Sequence, residues 1–320
     1  MKITNHKQKH ILVLGGAGYI GSACVDALCN MNAKVTVVDN LSHGEKKYVH
    51  PKAIFIKTDL LGRKAINKIM AEETYDSVLH FAAHKDTGSS MKNATKYAEN
   101  LRGMINILDA MVANKIPQII FSSSATVYGT PVYSPMDEKH PIKPINFYGY
   151  TKLAGEQLID WYSKIHNFNY VSLRYFNAAG DYGLKYIDKY SKNLFPAIVK
   201  VLTGKSAYLE IYGNNYKTRD GTCIRDYIHI SDLVSGHLAA LNYKPSDIFN
   251  LGTSHGQTVK EVIAEFEKQI GRALPKKIVA PRPGDSMSLV ADCTYAHHKL
   301  GWQAIYDLPK IVSSTLKTII

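Results

Sequence analysis

Cysteine is scarce in this chain. Its four residues, Cys24, Cys29, Cys223 and Cys293, have neither the close pairing of a zinc site nor the density of a disulfide framework. They are expected to be reduced thiols of a cytoplasmic protein. No uninterrupted apolar run reaches the ~18 residues that a membrane-spanning helix needs, so no membrane partner is expected. The basic residues 1–10 followed by Ile11-Leu12-Val13-Leu14 mimic a secretion signal. Gly15, Gly16 and Gly18 break that apolar stretch at once, and it reads as a first strand. Internal repeats and low-complexity linkers are also missing, which excludes solenoids and arrays.

What is present is a globular composition: 320 residues, 45% hydrophobic and 21% charged. That length suits one large α/β domain, or a core domain with a smaller lobe. The net charge of +12 suits either nucleic acid or a small anionic substrate. Lysines and arginines are spread along the chain and no nucleic-acid motif is found. Nucleic acid is therefore not the expected partner, and a polyphosphate substrate is compatible with the charge.

Strand-like and helix-like segments alternate through the first half. Residues 11–14, 35–38, 54–56, 77–81 and 119–121 read as strands. Tyr19–Asn30 and residues 101–115 read as helices, the second with Leu101, Met104, Ile105, Leu108, Met111 and Val112 at helical spacing. Such alternation implies an α/β fold, a Rossmann-type doubly wound parallel sheet with helices on both faces. From about Asn177 the pattern loosens into polar loops. The expected division is a dinucleotide-binding domain over 1–176, with a return over 228–251, and a smaller C-terminal substrate-binding lobe from 177–227 and 252–320.

Gly15-Gly16-Ala17-Gly18-Tyr19-Ile20-Gly21 follows the first strand and opens the first helix. Glycines let the backbone turn tightly and approach a pyrophosphate, and the helix N-terminus offers N–H groups and partial positive charge to it. Asp39 closes the second strand near the ~20-residue offset of a carboxylate that holds an adenine ribose. A carboxylate there would repel a ribose 2′-phosphate, which favours NAD over NADP.

Tyr148 and Lys152 lie four residues apart, on one face of a helix. Three other pairs share that spacing: Tyr48/Lys52, Tyr295/Lys299 and Tyr306/Lys310. Pro51 and Pro309 argue against a regular helix through two of them, and the third has no strand-borne serine cluster ahead of it. Only Tyr148/Lys152 follows such a cluster, Ser122-Ser123-Ser124. A tyrosine near pKa 10 is a poor base at neutral pH. A cation at about 4 Å and an effective dielectric near 20 contributes on the order of 4 kcal/mol, roughly 3 pKa units. Lys152 and an oxidised nicotinamide are expected to bring Tyr148 near neutrality, with a serine hydroxyl orienting the substrate oxygen.

Across nearly its whole length the chain resembles the UDP-galactose 4-epimerases of the extended short-chain dehydrogenase superfamily. The motifs that carry the resemblance are GGAGYIGS (15–22), VVDNLS (37–42), HFAAHK (80–85), SSSATVYG (122–129), YGYTK (148–152), LRYFNAAG (173–180), RDYIHISDL (225–233) and RPGD (282–285). The resemblance implies that Ser124 and Tyr148 contact the sugar 4-oxygen, with Tyr148 as base and then acid, and that Lys152 binds the nicotinamide ribose. Gly15, Gly18, Tyr19, Ile20, Gly21, Asp39, Asn40, Asp59, Leu60, Phe81, Ala82, Lys85, Asn100, Ser122 and Phe176 would line the NAD site. Asn177, Asn193, Leu194, Tyr212, Arg225 and Arg282 would bind the UDP part, with Asp285 beside it. Thr126 and Lys85 would also face the substrate. Leu289 falls where relatives close the sugar pocket: tyrosine there restricts the site to plain hexoses, and a small residue admits N-acetylamino sugars. In that family the helix over 101–115 and the one carrying Tyr148 pair with their copies, so a homodimer is expected.

Some positions depart from the family pattern. The segment after Gly180 is shortened, Ser89 stands where many relatives carry Glu, and the C-terminal tail is short. Rival readings remain. Related 4,6-dehydratases carry an Asp-Glu pair just after the strand's serine or threonine, where this chain has Ala125-Thr126, which cannot move protons in that way. Epimerisation of another UDP-sugar, an N-acetylhexosamine or a uronate, stays open, and a decarboxylase is a weaker alternative. Gly252-Thr253-Ser254-His255-Gly256 fits a nucleophile elbow ahead of a helix over 259–269, with Asp285 or Asp292 and His297 following, so a serine hydrolase using Ser254 is formally available. A non-catalytic NAD-binding protein would lack some of Ser124, Tyr148 and Lys152, and all three are present. His80, His84 and His297-His298 match no recognised metal motif, and no metal is expected.

Overall fold

Short, almost wholly apolar strands separated by amphipathic helices cannot bury both faces unless helices cover each side of a sheet, and the computed structural model shows this layering. It describes residues 8–186, 188, 190–282 and 286–319. The chain first lays down β1 (His10–Leu14), β2 (Lys34–Asp39), β3 (Ile54–Lys57), β4 (Ser77–His80), β5 (Gln118–Ser124) and β6 (Asn169–Tyr175). It then leaves to form β7 (Asn177–Ala179), β8 (Leu209–Tyr212) and β9 (Ile224–His229), and returns for β10 (Asp247–Leu251). It leaves again for β11 (Gly256–Thr258), β12 (Lys276–Val279) and β13 (Ser288–Leu289). The main sheet has the order β10-β6-β5-β4-β1-β2-β3, and every pair in it is parallel. The direction of winding reverses between β1 and β4. Ligands of such sheets bind beyond the carboxyl ends of the strands at that reversal.

Ile11, Leu12 and Val13 of β1 are fully buried, each worth ~1.5–3 kcal/mol of apolar burial. Helices Tyr19–Asn30 and Ile230–Asn242 share one apolar cluster on one face of the sheet. Arg63–Glu72, Glu99–Ala113 and Phe147–His166 share another on the opposite face. The helix expected over 101–115 starts two residues earlier and stops at Ala113, because Lys115 turns to a positive φ of 53°. The sequence pattern missed β6 altogether. Its run of Val171 and Leu173 is interrupted by Ser172 and by Arg174, which is 2% exposed, so it does not read as an apolar strand.

Beyond the sheet, β9 pairs with β7 and β13 in parallel and with β11 antiparallel, and β8 pairs with β12. Helices Leu194–Leu202, Val259–Ile270 and Leu308–Leu316 pack on these strands around Phe195, Ile198, Ile211, Phe266 and Val312. Strand β10 and helix Ile230–Asn242 return to the main sheet. Among the described residues no helix is long and apolar enough to cross a membrane.

Candidate active site

A cleft of about 1480 Å³ runs along the carboxyl edge of the main sheet to the smaller sheets. Every site residue expected from the sequence lines it, except Asp285, which lies outside the described residues.

At the dinucleotide end, Gly15 adopts φ +82°, and a Cβ there would stand 2.5 Å from the Ala82 nitrogen. A Cβ on Gly21 would meet the Gly15 carbonyl at 2.2 Å. The turn thus accepts glycine only. It delivers the chain into helix Tyr19–Asn30, whose N-cap, Gly18, supplies no side-chain cap. The uncapped helix end and the side-chain-free turn fit a pyrophosphate group. Asp39 braces the same turn: its Oδ2 accepts the Ala17 N–H (3.0 Å) and its Oδ1 the Leu41 N–H (2.8 Å). Each carboxylate oxygen keeps a further acceptor site for a ribose hydroxyl. Asn40 donates to Asp59 at 2.8 Å, which fixes both beside Leu60. Asn100 accepts the His84 N–H at 2.9 Å and donates to Thr151 on the Phe147–His166 helix at 3.1 Å. Lys85 is paired with Asp188, part of the shortened segment after Gly180. The sequence placed Lys85 at the ligands without foreseeing this partner.

The reacting groups meet where β5 ends. Parallel strands place Ser122, Ser123 and Ser124 opposite Leu173, Arg174 and Tyr175. Ser124 Oγ accepts hydrogen bonds from the Thr126 N–H (3.2 Å) and hydroxyl (3.0 Å), and it lines the cleft together with Tyr148. Asn146 caps the next helix by accepting the Gly149 N–H at 2.8 Å, which fixes the first turn and Tyr148 in it. Lys152, 3% exposed, donates to the Ser122 carbonyl at 2.5 Å and lies 5.9 Å from the Tyr148 ring centre.

Burial pushes the Tyr148 hydroxyl up to about 12, with Ser124 acting in the opposite direction. Burial also pulls Lys152 down to about 7, opposed by Glu156. The same desolvation penalises the phenolate and the ammonium that was to stabilise it.

The partners of several neighbours were not foreseen from the sequence. Tyr175 lines the cleft, with its hydroxyl held by His237 Nε2 at 2.5 Å. His80 is 3% exposed and stacks on Phe121, and its Nδ1 has no hydrogen-bond partner. Burial pulls it down to about 3. His80 and Tyr175 lie in the HFAAHK and LRYFNAAG segments, but their side-chain partners depend on strand register.

On the far side of the cleft, Asn177 donates to the Asp226 carbonyl (3.2 Å), and Asn193 opens helix Leu194–Leu202. Arg282 stacks on Tyr212 at 3.7 Å, and Arg225 donates to the Ser286 carbonyl at 2.7 Å. Leu289 pairs with Arg225 across β13 and β9 and packs against the apolar cluster of Val127, Tyr128, Met136 and Phe176. The decoy pairs lie elsewhere: Tyr48, Lys52, Tyr295, Lys299, Tyr306 and Lys310 are all absent from the cleft lining. Ser254 does take the positive φ (61°) of a nucleophile elbow. Its N–H, however, is held by Asp226 and its hydroxyl accepts the Cys293 N–H. Among the described residues no histidine is bonded to it. Among them, too, no cluster of His, Cys, Asp or Glu could hold a metal.

A glycine turn, an acid at the end of β2, and a serine, tyrosine and lysine at the end of β5 define an enzyme that moves hydride between a dinucleotide and an oxygen-bearing carbon. The chain belongs to the NAD dependent epimerase/dehydratase family, whose model matches residues 11–252, and NAD is its cofactor. It is 40% identical over 305 residues to the UDP-glucose 4-epimerase of Lactobacillus helveticus, covering 93% of this chain and 92% of that protein. It is similar in structure to the UDP-glucose 4-epimerase from Brucella ovis in complex with NAD, with TM-score 0.92, 36% identity and coverage of 96% and 97% of the two chains. It is also similar to the UDP-Glc/GlcNAc 4-epimerase from Campylobacter jejuni, with TM-score 0.87, 34% identity and coverage of 97% and 98%.

Proposed function

We propose that this enzyme interconverts UDP-galactose and UDP-glucose by inverting the sugar at C4. The observation that carries the reading is a single cleft that joins the glycine turn, the Ser124–Tyr148–Lys152 cluster and a basic half with Arg225 and Arg282. Arg225 and Arg282 supply cations for a diphosphate. Ser124 Oγ orients the 4-oxygen, and Tyr148 takes its proton and later returns it. Lys152 holds the nicotinamide ribose and adds positive charge beside the phenol. The Gly15–Gly21 turn, Asp39 and Lys152 would hold NAD, which would supply a hydride acceptor and donor for C4 of the sugar. No net redox follows, so the cofactor stays with the protein. Ala125 and Thr126 after Ser124 offer no acid–base pair for eliminating water. The test is incubation of purified protein with UDP-galactose and no added NAD, following UDP-glucose. If NAD is bound but no 4-epimer pair of a UDP-sugar panel interconverts, the reading is wrong.

Leu289 supports a second substrate class. It is smaller than tyrosine and larger than cysteine or serine, so an N-acetyl group at C2 meets a partial obstruction. UDP-N-acetylglucosamine is then a slower substrate.

The enzyme also reads as a homodimer. Tyr150, Trp161 and Ile165 stand exposed along helix Phe147–His166, with Ile105 exposed on the neighbouring helix. A second copy would cover this face. Light scattering at micromolar concentration should give twice the 35.6 kDa chain mass, and a monomer would count against the pairing. All four cysteines are free thiols, as suits a cytoplasmic enzyme.

A further inference from the structure

Behind the reacting groups, on the same helix face, lies a buried ion pair that the proposed reaction does not use. Tyr148, Lys152 and Glu156 are spaced i, i+4 and i+8 and so share one face of helix Phe147–His166. Glu156 and Arg174 are buried to 4% and 2% side-chain exposure. Arg174 donates Nε to Glu156 Oε1 at 3.0 Å and Nη2 to Oε2 at 2.7 Å. Its Nη1 donates to the Tyr128 hydroxyl at 3.1 Å, and Tyr128 donates to Asn250 Oδ1 at 2.7 Å. Ser123 donates its hydroxyl to Glu156 Oε1.

The placement of Ser123 gives the pair its significance. It sits on β5 between Ser122, whose carbonyl holds Lys152, and Ser124, which lines the cleft with Tyr148. Successive strand residues alternate faces, so the anchor and the reacting serines cannot move independently. Arg174 lies directly across from Ser123 on β6. One carboxylate therefore ties a helix to two adjacent strands.

We propose that Glu156, held by Arg174 and Ser123, is the positioning residue of the site: it fixes the rotation of the Tyr148–Lys152 helix against β5 and sets a carboxylate one helical turn from Lys152. The proposal rests on Tyr148 and Lys152 being the reacting pair. The charge part is supported by Glu156, the one neighbour that raises Lys152 against its burial. The other titratable groups around the site are His80 on β4, Arg174 and Tyr175 on β6, Tyr97 beside Tyr148, Tyr148 itself, and Tyr128 and Glu138 on the far side of Arg174. Of the two carboxylates, Glu138 acts on Arg174 and Glu156 on Lys152.

The two parts separate by substitution. Glu156→Gln keeps the shape and the acceptor for Ser123 but removes the charge. The alkaline limb of the kcat–pH profile for UDP-galactose should move down by at least about half a unit, because Lys152 then loses its proton at lower pH. Ser123→Ala keeps the ion pair and removes the anchor. It should lower kcat about tenfold with KM nearly unchanged, as expected for a small misplacement of reacting groups. Arg174 left without its partner can unfold the protein, so Glu156→Leu/Arg174→Met, which leaves no unpaired buried charge, serves as the folded counterpart and should show the Ser123→Ala loss in kcat. A readout independent of substrate is the titration of the Lys152 amine by NMR of protein labelled with 15N-lysine. A lower midpoint in Glu156→Gln supports the proposal even where the sugar has been misidentified. Unchanged kcat in Ser123→Ala and in the double variant, with an unmoved Lys152 midpoint in Glu156→Gln, overturns it.

Discussion

On the dinucleotide side of the cleft, the groups that face a ligand come from strand ends and a helix N-terminus, and most are backbone or are braced by backbone. Asp39 holds two N–H groups of its own surroundings, and Gly15 is locked against Ala82. On the far side the cleft is lined by side chains carried by two small sheets and their loops, such as Arg282 stacked on Tyr212 and Leu289 at the end of β13. The first side tolerates almost no change because a sheet edge dictates it. The second can be altered one side chain at a time, and there a choice among sugars can be made without rebuilding the fold.

The sharpest test of this contrast lies where the sides meet. Tyr148→Phe removes the positioned acid and base common to every substrate and should lower turnover by at least about two orders of magnitude; near-normal turnover would sink the assignment. Next comes the rigid side. Gly15→Ala puts a methyl 2.5 Å from the Ala82 nitrogen at φ +82°. Purified variant should lose most of its bound NAD, read by absorbance after denaturing release, and full occupancy would show that the turn yields more than its geometry allows.

The adaptable side should respond selectively. Wild-type enzyme should turn over UDP-N-acetylglucosamine with lower kcat/KM than UDP-glucose. Leu289→Tyr should suppress the N-acetyl activity by a further ~1–3 kcal/mol, the usual worth of a size change in an apolar pocket, and spare UDP-glucose. Equal losses on both sugars, or no N-acetyl turnover at the start, would remove Leu289 as the gate.

The smallest effect concerns His80. Its folded pKa, about 3, lies below the ordinary 6.5. Between those values the unfolded chain binds more protons, so stability rises with pH across that window and is lost on acidification. The slope is ~1.4 kcal/mol per pH unit for this group. His80→Leu should therefore show a smaller fall in Tm between pH 6.5 and 4.5 than the wild type. Parallel curves would mean that His80 is charged in the folded state.

The same contrast explains what the sequence could reveal. The glycine turn, Asp39, the serine run and Tyr148/Lys152 were legible because each is local: consecutive residues or one helical turn fix their geometry. Arg174 opposite Ser123, Tyr175 under His237 and His80 beside Phe121 follow from the register of parallel strands, which no local pattern encodes. The strands β7, β11 and β13, with two or three residues each, are too short to show periodicity. Lys85 was placed at the ligands, yet its partner, Asp188, is more than a hundred residues away. The lowering expected for Tyr148 counted Lys152 and an oxidised nicotinamide as cations, and burial acts against it by penalising both charges.

The route of the chain through β10 bears on whether the halves are separable. Strand β10 and helix Ile230–Asn242 belong to the dinucleotide half by position, yet the chain reaches them only after building β7, β8 and β9. A fragment ending at Phe176 would leave β6 as a raw sheet edge and expose the apolar side of helix Tyr19–Asn30. A fragment beginning there would carry a strand and a helix with no sheet to join. The two halves are thus interlaced rather than appended, and they should melt together in one transition, with neither surviving as a module for transplantation.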